Sequence, residues 1–476
     1  MGQTRALVDW IMKASYDDFD DETLDYTKRL LLKAIAGMVV GSKEAVGVNI
    51  SNYLSEAGGS PEAGVIGRGF KTSVENAALA NGTFSHASEL EDDRFPGPIG
   101  TYWIFPAFFG LGEKLGSSGK EIIEATIVSW EATWRMARAA PSWLMVGKGI
   151  VPNAWFGAVA TAAGAARLLK LTNDQAQHAM SIAASQASGL VCQLGWDAHF
   201  IESGHSCRAG VLSAYLAKAG ATGRPDFLEV NSGLFGPVWD MGQVDLDSIT
   251  DGLGKPPWDI NNVWIKKFPC CYGNHMPIDA LTMLMQENNI RYEDVEGVET
   301  EVDQMVGNMD DTGCNRPFPD SLGGARFSLH YTLGQVLLRG KVDLSFFTDE
   351  EKLSDPDLKE AQAKIKVIVP PEWGTGHVTR GRDLFAYGAS VTIVKKDGQR
   401  LKKHLDYPIG HPTDSPLSFA QVREICRPFV DDIIGEKQGN EIVQMIIDLE
   451  KQADIREMMN ILTFSGVEQA TSSEKR

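Results

Sequence analysis

Three short stretches of the chain concentrate the side chains able to do chemistry. The first, Ser85-His86-Ala87-Ser88-Glu89-Leu90-Glu91-Asp92-Asp93-Arg94, gathers one histidine, four carboxylates and an arginine at the end of an alanine-rich helical pattern. Surface helices often end in solvated charge runs, but acids at a helix C-terminus oppose the macrodipole, a local cost that favours a functional reading. A carboxylate set near a basic pocket can serve as a general base. The second stretch is Lys266-Lys267-Phe268-Pro269-Cys270-Cys271-Tyr272-Gly273-Asn274-His275. A lysine among aromatic side chains can clamp a carboxylate, and a histidine beside it can move a proton; the same residues also read as a junction loop with solvated lysines and structural cysteines. The third, Gly195-Trp196-Asp197-Ala198-His199-Phe200-Ile201-Glu202-Ser203-Gly204-His205, reads as a loop between helices carrying two histidines and two carboxylates.

Other chemistries lack support. Vicinal cysteines with one histidine four residues on do not match zinc spacing, so no metal is expected. The stretch Gly374-Thr375-Gly376-His377-Val378-Thr379-Arg380 follows a strand pattern, but no helix pattern follows it, which removes a dinucleotide or phosphate reading. No serine sits in a G-x-S-x-G elbow, so a hydrolase nucleophile has no basis either.

The elements that must position these groups are mostly helices. Between Asp21 and Gly41 apolar residues fall at three- and four-residue steps, with Asp20 or Asp21 as N-cap and Gly41 as stop. Similar patterns cover Val74–Leu90, Pro106–Leu115, Lys120–Ala139, Trp155–Leu169, Asn173–Gln186, Gly204–Ala219 and Pro277–Gln286. Many are rich in Ala, Gly and Ser, which lets helix axes approach closely and marks them as buried. Near Trp264 the character changes. Val295–Val302 and Ala363–Val369 are rich in β-branched residues, and Ser390–Lys395 turns at Asp397-Gly398 into Arg400–Leu405, a hairpin signal. A helix at about Phe327–Leu338 lies among these strands, and helical spacing returns at Ser418–Phe429 and Asn440–Asp448. The expected fold is mainly α: a helical domain of residues 1–266 and 405–476, interrupted by a smaller α+β lid domain of residues 267–404. Lys266 and His275 are expected to share a cleft with Glu89–Arg94, domain junctions being favoured places for small-molecule sites.

Composition narrows the partners. Of 476 residues, 43% are apolar and 23% charged, ordinary for a chain that buries a large core. The net charge of −18 disfavours nucleic acid and anionic membranes, so a basic pocket must be built from few residues. No apolar run approaches a membrane span, Met1–Lys13 is not an export signal, and the six cysteines form no CxxC pair. The cytoplasm is the expected compartment. Only the tail Gln469–Arg476 reads as disordered.

Taken in order, several segments resemble the MmgE/PrpD family, which includes 2-methylcitrate dehydratase, cis-aconitate decarboxylase and iminodisuccinate epimerase. Glu75-Asn76-Ala77-Ala78-Leu79-Ala80-Asn81-Gly82, leading to His86 and the acidic run, is similar to the family's Ala-Asn-Gly helix and its His-Ala-x-Asp-x-Asp-Asp-Thr ending. The segment from Ser188-Gly189-Leu190 to Gly204 is the second match. Ile265-Lys266-Lys267-Phe268-Pro269-Cys270-Cys271 with His275 resembles Lys-Pro-Tyr-Pro-x-Cys and the histidine after it. Phe327-Ser328-Leu329-His330-Tyr331 and Gly410-His411-Pro412 follow. The resemblance implies the same architecture, a homodimer, and chemistry without metal or organic cofactor. It puts Lys266, His275 and Tyr331 on matching positions, with Glu89 at the first Asp, Glu91 and Asp92 at the Asp pair and Asp93 at the Thr. It also marks departures. Ile99 and Val151 stand where the family has histidines, and His199 stands where it has a lysine; the planar groups Arg94, Trp103, Trp155 and Trp196 are nearby.

The function expected from all this is a cofactor-independent lyase that abstracts a proton α to a carboxylate of a small organic acid, of dehydratase or decarboxylase type. The enolate-like charge needs fixed cationic donors. Lys266 and Arg94 would hold the carboxylate, His199 or His275 would move the proton, and Tyr331 would orient or donate. Glu89, Asp92 or Asp93 would polarise a histidine or act as base, with Trp103 and Trp155 as apolar surface. The rival readings are an epimerase or isomerase on the same scaffold and a non-catalytic binding relative.

Overall fold

Helix Asp21–Gly41 begins where its cap requires. Asp20 accepts the Thr23 N–H at 2.8 Å, and Asp21 and Glu22 place negative charge at the positive end of the helix. From Leu30 to Gly41 every side chain is buried, because the helix is covered by Val74–Ala87 and by Phe419–Ile434. The computed structural model describes residues 2–94, 100–140, 143–307, 314–373 and 388–464. Ile99, the glycine-rich stretch Gly374–Arg380 and the tail Gln469–Arg476 lie outside the described residues.

Among the described residues the chain divides into two units. The first comprises Met1–Gly189, Phe200–Val263 and Ser418–Arg476, and it is helical almost throughout. Helices Gly119–Ala139, Pro152–Leu168 and Asn173–Ala184 pack in sequence, the first and third opened by capping boxes at Ser118/Glu121 and Thr172/Gln175. Small residues set the spacing. A Cβ on Gly41 would stand 1.9 Å from the Phe84 carbonyl oxygen, and one on Gly82 would stand 2.7 Å from Cα of Gly204. Helix Val74–Ala87 is thus clamped by backbone on two sides, which fixes the direction in which its last turn delivers His86.

That close approach can be tested. Gly82→Ala pushes a methyl into main chain that has no rotamer to yield, so it should destabilise the fold by about 1–3 kcal/mol. A urea midpoint unchanged from that of the parent protein would show that the helices yield without cost.

Two segments differ from the sequence reading. Helix Val74–Ala87 ends at Ala87 rather than Leu90, so the acids follow the helix instead of riding its last turn. The stretch Gly195–His205 is not a loop: helix Asp197–Lys218 starts inside it and carries both His199 and His205. Gly195, at φ 81°, marks the break, and Gly204 lies within the helix. A mid-helix glycine costs about 1 kcal/mol; here it permits contact with helix Val74–Ala87, where a Cβ would meet the Leu79 carbonyl oxygen at 2.1 Å.

The second unit, Leu190–His199 with Trp264–Leu417, is built on a four-stranded sheet. Its strands are β1 (Val295–Glu301), β2 (Ile365–Ile368), β3 (Ala389–Lys395) and β4 (Arg400–Leu405), in the order β2-β1-β3-β4. β1 runs parallel to β2, with Val298 opposite Ile365, and the crossover between them carries helices Leu329–Arg339 and Pro356–Ala363. β3 is antiparallel to β1 and β4, and the hairpin turns at Gly398, φ 87°. Central β3 is buried from Ala389 to Ile393. Edge strand β4 alternates and shields itself with Arg400–Glu299 and Lys402–Glu301 ion pairs. Helix His275–Glu287 packs on β3 and β4, so the sheet fixes the residue that opens it, His275.

Candidate active site

The acidic run of the first unit is buried, not solvated. Glu89, Glu91, Asp92 and Asp93 are each at most 3% exposed. Glu89 turns the chain at φ 54°, a left-handed conformation that a non-glycine residue adopts at a cost and that recurs at functional sites. The turn brings Glu89 Oε1 to 2.9 Å from His86 Nε2, with Glu91 Oε1 at 3.8 Å. A carboxylate at that distance forms an ion pair with the imidazole when the ring is protonated. The imidazole lies among Tyr102, Trp103 and Phe200, with ring centroids 4.5, 5.4 and 5.3 Å away.

Asp92 acts on the backbone. Its Oδ1 accepts the Thr101 N–H at 2.8 Å and its Oδ2 accepts the Thr101 hydroxyl, which secures the turn Thr101–Trp103. Trp103 is fully buried. Trp155 is half-buried and donates its indole N–H to the Leu234 carbonyl at 3.1 Å. Val151, directly before helix Pro152–Leu168, is buried and apolar.

Arg94 ends the run, and its guanidinium has a partner within the chain. Nε lies 3.2 and 3.3 Å from the two carboxylate oxygens of Asp259, Nη2 lies 3.0 Å from Oδ1, and the group sits 4.2 Å above the Trp134 ring. Asp259 donates its own N–H to Glu131 at 2.7 Å, and Glu131 pairs with Arg135 at 3.3 Å. Burial, with the Asp259 charge beside it, pushes the Glu131 carboxyl up to about 7 against the pull of Arg135.

In the second unit Lys266 and His275 are both buried, at 1% and 0% exposure. The His275 ring is edge-on to Trp264 at 4.8 Å and tilted against Phe268 at 5.2 Å, and its Nε2 lies 3.3 Å from the Cys270 carbonyl. Lys267 pairs with Asp279 at 3.0 Å and covers Phe268. Burial holds Asp279 above the usual carboxylate range, and Lys267 draws it back. Two bonds to the Arg326 carbonyl, from the Cys271 N–H at 2.9 Å and the Asn274 amide at 3.2 Å, secure the segment. His199 is buried edge-on to Phe327 at 6.1 Å; Gly195, four residues before it, packs so tightly that a Cβ on Gly323 would meet its carbonyl oxygen at 2.2 Å.

The Tyr331 hydroxyl is engaged elsewhere, donating to the Phe346 carbonyl at 2.6 Å, and burial pushes this phenol above its ordinary value. Trp196 is exposed. His86 was not among the site residues expected from sequence, although it lies in the acidic stretch. Its signal was the i,i+3 spacing to Glu89 across a helix end.

Two family models cover most of the chain. The MmgE/PrpD N-terminal domain matches residues 5–246, and the MmgE/PrpD C-terminal domain matches residues 268–451. Similar curated proteins include a cis-aconitate decarboxylase of Aspergillus terreus, 26% identical over 97% of this chain and 96% of its own length. A cis-aconitate decarboxylase of Mus musculus is 23% identical over 95% of this chain and 91% of its own, and that of Homo sapiens is 22% identical over 93% and 90%. With both domain models matched in order and relatives aligned end to end, the chain belongs to the MmgE/PrpD family, as an enzyme of its lyase type.

Proposed function

We propose that the enzyme removes the proton α to a carboxylate of a small organic acid and completes a decarboxylation or dehydration, without metal or organic cofactor. The observation that carries this reading is the buried His86–Glu89 pair, held at 2.9 Å by a left-handed residue. An imidazole paired with a carboxylate can take up a proton as a general base. The cis-aconitate decarboxylases among its relatives support the reaction class. Lys266 holds the substrate carboxylate and meets the enolate-like charge. His275 and His199 return a proton to the product, Asp93 adds negative charge to the acidic run, and Asp92 acts through Thr101 to set Trp103. The protein is proposed to be a cytoplasmic homodimer, which light scattering of the purified enzyme checks. Among the described residues no helix is long and apolar enough to cross a membrane.

A panel of di- and tricarboxylic acids followed by proton NMR in D₂O tests the reaction. Net loss of CO₂ or water is expected; isotope exchange without net reaction would make the enzyme an epimerase, and silence across the panel would defeat the catalytic reading. Activity should survive exhaustive chelation, and loss restored by a single metal would reject the cofactor-free proposal.

Substrate charge is a sharper expectation. Val151 is apolar and buried, and the Trp155 indole N–H is already bonded to the Leu234 carbonyl, so neither offers a donor to a substrate carboxylate. A buried carboxylate without a partner costs several kcal/mol, roughly a thousandfold in affinity. Acids with one or two carboxylates and a larger apolar or planar part should therefore show higher kcat/KM than cis-aconitate. Cis-aconitate or 2-methylcitrate as the best substrate of the panel would overturn this expectation.

A further inference from the structure

We propose that Asp259 is a positioning residue: by fixing the Arg94 guanidinium it holds the run Glu89–Asp93 in the conformation that presents Glu89 to His86. The inference deepens the proposed function and rests on it for its kinetic consequence, but its structural half stands alone.

The loop needs such a hold. Four carboxylates lie within five residues, all buried, and the turn passes through a left-handed non-glycine residue. Like charges out of water repel, and relaxation of Glu89 to an ordinary conformation would swing its carboxylate away from His86. Arg94 closes the run with a planar fork, and a fork engaged by three contacts to one carboxylate fixes direction as well as distance. Trp134, under the guanidinium at 4.2 Å, removes the remaining freedom out of its plane.

Asp259 is itself tied to a rigid element. Trp130 donates to its Oδ2 at 3.3 Å, Asn262 to its Oδ1 at 3.3 Å, and its N–H reaches Glu131 at 2.7 Å. Trp130, Glu131, Trp134 and Arg135 all belong to helix Gly119–Ala139. Arg135 continues the network by donating to the carbonyls of Ile249 at 3.0 Å and Asp251 at 2.9 Å. The anchor is thus one long buried helix, and Arg94 is the hook by which the loop hangs on it. This gives Arg94 a different duty from substrate binding, and the two duties differ in kinetics: a lost substrate contact raises KM, whereas a misplaced Glu89 lowers kcat.

The test uses Asp259→Asn, Arg94→Gln, their double variant and Arg94→Lys, read by hydrogen–deuterium exchange and by kinetics on the best acid of the panel. In Asp259→Asn, exchange of amides 88–94 should rise by about tenfold or more while helix Gly119–Ala139 stays protected. Its kcat should fall by about tenfold or more with KM changed less than about threefold, and the double variant should be no worse than the poorer single one. Arg94→Lys keeps the charge without the fork and should fall between; it also serves if Asp259→Asn does not fold. Unchanged loop exchange in the variants overturns the proposal whatever the activity. A raised KM with kcat preserved overturns it in favour of direct substrate binding by Arg94. A loosened loop in a protein whose parent form is inactive on every acid upholds the positioning role and defeats the proposed function instead.

Discussion

Lys266→Ala should lower kcat/KM by about 2–4 kcal/mol of transition-state stabilisation, roughly thirty- to a thousandfold. An ammonium group is strongly hydrated, and burying it to 1% exposure is costly unless what it meets compensates. Its neighbour serves as the control. Lys267 is more exposed, pairs with Asp279 and lies over Phe268. Lys267→Ala should therefore act on stability, leaving the buried Asp279 short of its partner, and leave kcat/KM within about threefold. The pair of variants separates loss of a substrate contact from general damage to the segment Trp264–His275. Arginine is not a neutral replacement at Lys266, since its planar fork needs room and partners that a point-charge site does not offer. Unchanged kinetics in Lys266→Ala would remove the residue on which the carboxylate-binding role rests.

How much of this was legible in the sequence depends on the range of the interaction concerned. Helix Asp21–Gly41 and strand β4 have the limits their residues announce, because capping aspartates, stop glycines and hairpin turns act within a few positions. The start of helix Asp197–Lys218 was hidden for the opposite reason. The helix reads from Gly204 onward with the residues before it as a loop, and what makes Gly204 tolerable inside the helix is the backbone of a helix more than a hundred positions away. The acidic run reads as functional, riding the end of its helix, and its burial is not legible. Its burial depends on a positive-φ turn at Glu89 and on Asp92 bonding Thr101, neither of which composition encodes. The partner of Arg94 lies 165 residues on, so spacing alone suggested a free cation for substrate, where the fold supplies Asp259. Pairings that cross the chain are set by packing, and packing is what local pattern omits.

The second large effect is expected at the His86–Glu89 pair. Glu89→Gln keeps size and backbone demand while replacing the acceptor charge 2.9 Å from Nε2 with a neutral amide. The imidazole then loses the negative charge that favours its protonated form, and kcat should fall by about 10²–10⁴, the range of general acid–base catalysis. His86→Gln removes the base itself and should fall as far. Because the two act as a unit, the double variant should be scarcely worse than either single one, instead of showing the product of both losses. Solvent exchange of the substrate α-proton in D₂O should be lost in parallel with turnover. Glu89→Asn adds a control for the backbone, since asparagine tolerates the left-handed turn as well as or better than glutamate does. It should fold at least as stably as the parent and still be inactive. A fully active Glu89→Gln enzyme would mean that the buried pair serves the fold alone and that the base must be sought elsewhere, with His275 and His199 the next residues to replace.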